Sequence, residues 1–82
     1  METNNINRAI LERLLKGKEG FPEFTERAGL NRGAFYKAMA NDSHNWSLYG
    51  LEKVCRALNT APCILLKEAD RISVKRVWNE SN

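Results

Sequence analysis

The chain has 82 residues, 43% of them hydrophobic, and 13 lysines and arginines against 10 acids give a net charge of +3 and a pI near 9.1. That length holds one domain with one small core, and it leaves little material for a two-walled catalytic cleft, which argues against an enzyme. The surplus charge lies in the second half, since residues 1–30 are neutral overall while 31–60 carry +2 and 61–82 carry +1, a balance that suits a polyanionic partner without requiring one.

Taken in chain order, Ile6, Ile10 and Leu14 recur every fourth residue, with Ala9, Leu11 and Leu15 widening the stripe. This is the pattern of a first amphipathic helix. Thr3, Asn4 and Asn5 are its N-cap candidates, and Gly17 and Gly20 close it. A short second helix is expected with Pro22 in its first turn, where the missing N–H costs nothing. Phe21, Phe24 and Ala28 form its apolar face, and Gly29 ends it by taking a positive φ. Asn31 then caps a third helix predicted over Arg32–Ala40. There is no capping box, because no Glu or Gln stands three residues after the cap. Asn41, Asp42 and Ser43 stop this helix.

Ser47 caps a fourth helix whose buried face is expected at Leu48, Leu51, Val54, Cys55 and Leu58. Asn59 and Thr60 end it. Pro62 opens a short fifth helix through "CILLKEA". The chain then changes character, and "RISVKRVW", with Ile72 and Val74 in alternation, reads as an extended segment, with a last helix as the alternative. The expected architecture is all-α, five helices in a domain over residues 1–69 with a C-terminal tail over 70–82.

No charged stretch followed by a long apolar run stands at the N-terminus, and nothing approaches a membrane span of ~20 residues. The expectation is therefore a cytoplasmic chain with no membrane partner. Cys55 and Cys63 have apolar neighbours in sequence and read as reduced thiols packed like small hydrophobes. With His44 they lack the paired spacing of a zinc site. Ser43 or Ser47 with His44 lacks an orienting acid. No metal, cofactor or catalytic residue is expected.

The third helix carries the functional signal. At 3.6 residues per turn, Phe35, Ala38 and Met39 fall together and face the core. Arg32, Gly33, Tyr36 and Lys37 share the other side, and no acid stands among them. Two short helices joined by a glycine turn make the helix-turn-helix arrangement, whose second helix enters the major groove with its leading residues exposed. There Arg32 suits a bidentate contact to guanine, Gly33 permits close approach, and Tyr36 suits a thymine methyl or a phosphate. Lys37 suits a base acceptor or the backbone.

The ordered block "FTERAGLNRGAFYKAMAND…WSLYGLEKVCRALN" resembles the lambda-repressor-like, or Cro/CI-type (XRE), helix-turn-helix family over about residues 6 to 68. The piece "GLNRGAFYKAM" is also similar to a subgroup of addiction-module antidote proteins. The resemblance matches Gly29 to the turn glycine and Leu30 to the apolar residue after it. Asn31, Arg32, Gly33, Tyr36 and Lys37 match positions that face DNA, and Phe35 and Met39 match core positions. It also brings Asn45 and Ser47, at the start of the fourth helix, near the sugar-phosphate backbone. Two departures stand out. Phe21 and Pro22 occupy a stretch where many members place a polar phosphate-gripping residue, and Ala38 is small where a larger aliphatic is common. Phe35 and Trp46 read as the side chains that fill the space Ala38 leaves. Arg27, Lys53 and Arg56 read as solvated charges, of which one or two meet phosphate.

What the resemblance implies is a phage- or mobile-element-type transcriptional repressor that binds a double-stranded DNA operator as a homodimer. Ile72, Val74, Val77 and Trp78 are too apolar for a free tail: they either fold back on the core or pair with a second copy, and as the latter they are the expected dimerisation residues. The alternatives are an antitoxin that also binds a toxin partner, and a protein-interaction module without DNA binding.

Overall fold

The computed structural model describes the backbone of residues 5–41 and 44–81 and the side chains of residues 5–41 and 44–72. Five helices are described and no strand: α1 (Asn5–Lys16), α2 (Phe21–Ala28), α3 (Arg32–Ala40), α4 (Leu48–Ala57) and α5 (Pro62–Ser81). Each contributes to a single core. Ala9, Ile10 and Leu14 from α1 meet Phe24, Phe35, Leu51, Val54, Cys55 and Leu65. The helices pair as α1 with α5, α2 with α3 and with α4, and α4 with α5.

The largest departure from the sequence reading is the C-terminal segment. Residues expected to be extended continue α5, which runs from Pro62 to Ser81 through the anticipated boundary at residue 69. The reason is visible in the periodicity. Leu65, Ala69 and Ile72 stand at i, i+4 and i+7, and all three turn toward the core, a spacing that only a helix satisfies. No Gly or Pro follows Pro62 to interrupt it.

Three apolar residues expected on buried stripes lie outside them. Leu15 is 67% exposed, Leu48 is 71% exposed, and Leu11 is partly exposed. Cys63 is exposed as well, whereas Cys55 is buried, and that burial pushes its thiol up from the ordinary range. Cys55 therefore acts as a small core hydrophobe and Cys63 does not. Of the N-cap candidates for α1, Asn5 is the first helical residue, and Thr3 and Asn4 lie outside the described residues.

Neither glycine closes α1 by its conformation. Lys18 takes the left-handed backbone, with φ of 55°, and the Glu19 N–H donates to Leu14 O at 3.0 Å to complete the turn. A side chain with a Cβ pays roughly 1 kcal/mol in that region. Lys18→Gly is expected to stabilise the fold by about that much, read as a higher urea midpoint at unchanged slope.

Polar clamps tie the helices together. Arg13 forks onto Glu68, its Nε donating to Oε1 at 2.9 Å and its Nη2 to Oε2 at 2.6 Å, so α1 is fastened to α5. Arg27, read as a solvated charge, is exposed, and it also grips Glu19 with two hydrogen bonds and donates to Ala57 O at 2.7 Å, which caps the end of α4. The hydrogen bonds from Arg13 hold the Glu68 carboxyl below the usual carboxylate range. A depressed folded value means that the stabilisation is complete above the unfolded carboxylate pKa, about 4.3, and is lost as pH falls through the lower folded value. Acidification is expected to lower the melting temperature of the wild type more than that of Glu68→Gln, the difference opening below about pH 4.5.

Candidate nucleic-acid interface

The turn into α3 is built from local chemistry. Gly29 sits at φ 69° and ψ 33°. Its N–H donates to Glu26 O, and the next N–H, of Leu30, donates to Thr25 O at 2.9 Å. These bonds satisfy the last carbonyls of α2. Two residues later the Asn31 side chain accepts from the Ala34 N–H at 2.8 Å, capping α3 where expected. Leu30 before the cap and Phe35 at the fourth helical position both join the core, so the entry angle of α3 is stapled from both sides.

Phe35 and Ala38 are buried and Met39 is half-buried, as the wheel requires. Asn31, Arg32, Gly33, Tyr36 and Lys37 are all exposed. Gly33, Lys37 and Ala40 centre the outward face, and Gly33 and Ala40 keep it low. A Cβ at position 33 would meet only the Asn31 carboxamide oxygen, at 3.4 Å. Among the described residues neither Arg32 nor Lys37 is paired with a carboxylate, since the ion pairs are those of Arg13 and Arg27. Tyr36 is braced: its ring meets Phe21 edge-on at 5.4 Å, and Phe21 in turn meets Phe35 at 5.3 Å. Phe21, which stands where the resemblance leads one to expect a polar residue, is thus the support for Tyr36.

The start of α4 lies beside α3. Ser47 accepts from the Gly50 N–H at 3.1 Å and caps the helix. Asn45 and Ser47 are exposed. A cleft of about 230 Å³ opens between the two helix starts, and Asn31, Asn45 and Ser47 all line it, over a floor that includes Ala34 and Phe35. Tyr36 lines a different cleft, of about 500 Å³, shared with Arg8 and Leu11 of α1. The expected residues therefore form one surface in three parts, the α3 face with a cleft on each flank. Trp46 plugs the core beside Phe35, its ring 6.4 Å from the Phe35 ring. A Cβ at Gly50 would stand in ordinary contact with the Trp46 ring, at 3.7 Å, and crowd only the capping Ser47 Oγ, at 3.2 Å.

Two features escaped the sequence reading. Tyr49 is 69% exposed at the first turn of α4, with the Lys53 ammonium 5.1 Å from its ring centre. The i, i+4 spacing of Tyr49 and Lys53 was the available signal. Asn7 is the other: it is buried on α1 and hydrogen-bonded to residues more than thirty positions away, and no local pattern marks such a partner. Of the residues expected to dimerise, Ile72 is half-buried against the core of its own chain, and the side chains of Val74, Val77 and Trp78 lie outside the described residues. No helix is long and apolar enough to cross a membrane, among the described residues. The chain matches no protein-family model and no curated protein.

Proposed function

We propose that this chain is a sequence-specific double-stranded DNA-binding transcriptional regulator of the helix-turn-helix kind, a repressor that works as a dimer and reads the major groove with α3. The observation that carries the reading is the outward face of α3. It presents Arg32, Tyr36 and Lys37 on a low Gly and Ala surface, exposed and with no described carboxylate paired to either cation. Guanine O6 and N7, a thymine methyl and phosphate oxygens are the partners such side chains suit. Asn31, Asn45 and Ser47 beside it suit phosphate, which fixes register and carries no sequence information. Binding would begin with phosphate contacts and proceed to base readout.

Gel shifts against the duplex upstream of the chain's own coding region, beside a scrambled duplex, at two salt concentrations, test this. The expected result is a preference for the upstream duplex at both salts, with affinity for either falling as salt rises. Absence of binding to any duplex at the lower salt overturns the proposal.

A further inference from the structure

Beyond the α3 face itself, we infer that Asn7 is the positioning residue that sets α3 relative to the start of α4. This rests on the DNA-binding reading above. The side chain is 5% exposed and its two polar atoms serve two different segments. The Nδ2 group donates to Ala38 O at 2.7 Å and, more weakly, to Asn41 O at 3.3 Å and Met39 O at 3.5 Å, the carbonyls at the C-terminal end of α3. The Oδ1 atom accepts from the Trp46 indole N–H at 2.8 Å. Trp46 immediately precedes Ser47, the cap of α4.

The need for such a residue follows from how α3 is held. It is nine residues long, and α2 is the helix it packs against most. Its N-terminal end is fixed by the Gly29 turn and the Asn31 cap. At its C-terminal end Ala38 O accepts from the Asn41 N–H at 3.3 Å and Asn41 O from the His44 N–H at 3.0 Å, and a planar amide adds a donor to both from α1, which ties this end of α3 to another helix. The same amide locates Trp46, and through it Asn45 and Ser47. The base-reading face and the phosphate-contacting cluster are thereby referenced to one rigid point on α1. Asn7 is 5% exposed and both its polar atoms are engaged within the chain, so although it helps line the Tyr36 cleft it acts through α3 and Trp46 and not by contact with DNA.

The test separates positioning from stability. Asn7→Ala, Trp46→Phe and the double variant are compared with Leu65→Val, a buried α5 change that weakens the core away from α3. Affinities for the upstream and scrambled duplexes are measured at a temperature where circular dichroism shows each variant folded. The expected result is that Asn7→Ala lowers the ratio of the two affinities about tenfold and leaves scrambled-duplex affinity within about twofold of wild type. Trp46→Phe, which loses the indole N–H and part of the ring's bulk but keeps the Asn7 bonds to the end of α3, is expected to lower the ratio less, and the two changes are expected to be non-additive. Leu65→Val should leave the ratio unchanged. A folded Asn7→Ala with the wild-type ratio overturns the inference and leaves the DNA reading standing. If Asn7→Ala does not fold, Trp46→Phe decides, a wild-type ratio overturning the inference and a lowered one supporting it. A wild type that does not discriminate between the duplexes overturns the DNA reading, and this inference with it.

Discussion

Arg32→Ala is expected to cost roughly 1–3 kcal/mol of discrimination at one base pair, a loss of about 5- to 150-fold, while the fold is untouched. Arg32 occupies the first turn of α3, is exposed, and makes no described ion pair that its removal would break. The unfolding midpoint should therefore move by less than about 0.5 kcal/mol in equivalent stability. Lys53→Ala supplies the contrast. Its ammonium lies over the exposed Tyr49 ring on α4, not on α3. Its loss should weaken all duplexes alike and reduce the salt slope by about one. Competition titrations against a set of single-base operator variants read both effects. Unchanged operator preference in Arg32→Ala would remove α3 from its assigned role, whatever the fold.

The second large effect concerns stability. Phe24 is fully buried, its ring 5.5 Å from that of Phe35, and the Arg27 guanidinium lies 5.5 Å from its ring centre. It is among the largest side chains with no exposed surface. Truncation to Ala is expected to cost about 3–5 kcal/mol through lost burial and the cavity left behind. A domain of this size has a total of roughly 4–12 kcal/mol to lose. Phe24→Ala should bring the urea midpoint close to zero or unfold the chain outright. Tyr36→Ala, which removes a ring 41% exposed, should cost much less. A Phe24→Ala variant that melts like the wild type would mean that the core is not centred where α1, α2 and α3 meet.

What the sequence revealed tracks how local each determinant is. The bounds of α3, the Asn31 and Ser47 caps and the Gly29 turn depend on residues within a few positions of one another, and the structure has them as expected. The split between Phe35 inward and Tyr36 outward follows from helical period alone. Non-local determinants were hidden. Leu15 and Leu48 look like core by type, but which flank of a stripe is covered depends on where the neighbouring helix lies. The alternation of Ile72 and Val74 imitates a strand, and the competing i, i+4, i+7 series from Leu65 outweighs it once α1 supplies a surface to pack on. Arg27 and Asn7 look like ordinary polar positions until Ala57 and Ala38 arrive from elsewhere in the chain. The candidate site was legible because it sits on one capped helix. Its supports, Phe21 beneath Tyr36 and Asn7 behind α3, were not.

The pairing of α1 with α5 sets the order in which the molecule can be completed. The Arg13–Glu68 fork spans 55 positions, and Leu65 joins a core that Ala9, Ile10 and Leu14 begin. The α2–α4 segment closes over shorter loops, which cost less entropy to form. On a ribosome adding about 5–20 residues per second, α1 emerges before α5 and waits for it before the side of its apolar stripe that faces α5 is covered. Until then a nascent chain can present the capped turn and α3, but that side of α1 stays available to other hydrophobic surfaces, including those of chaperones.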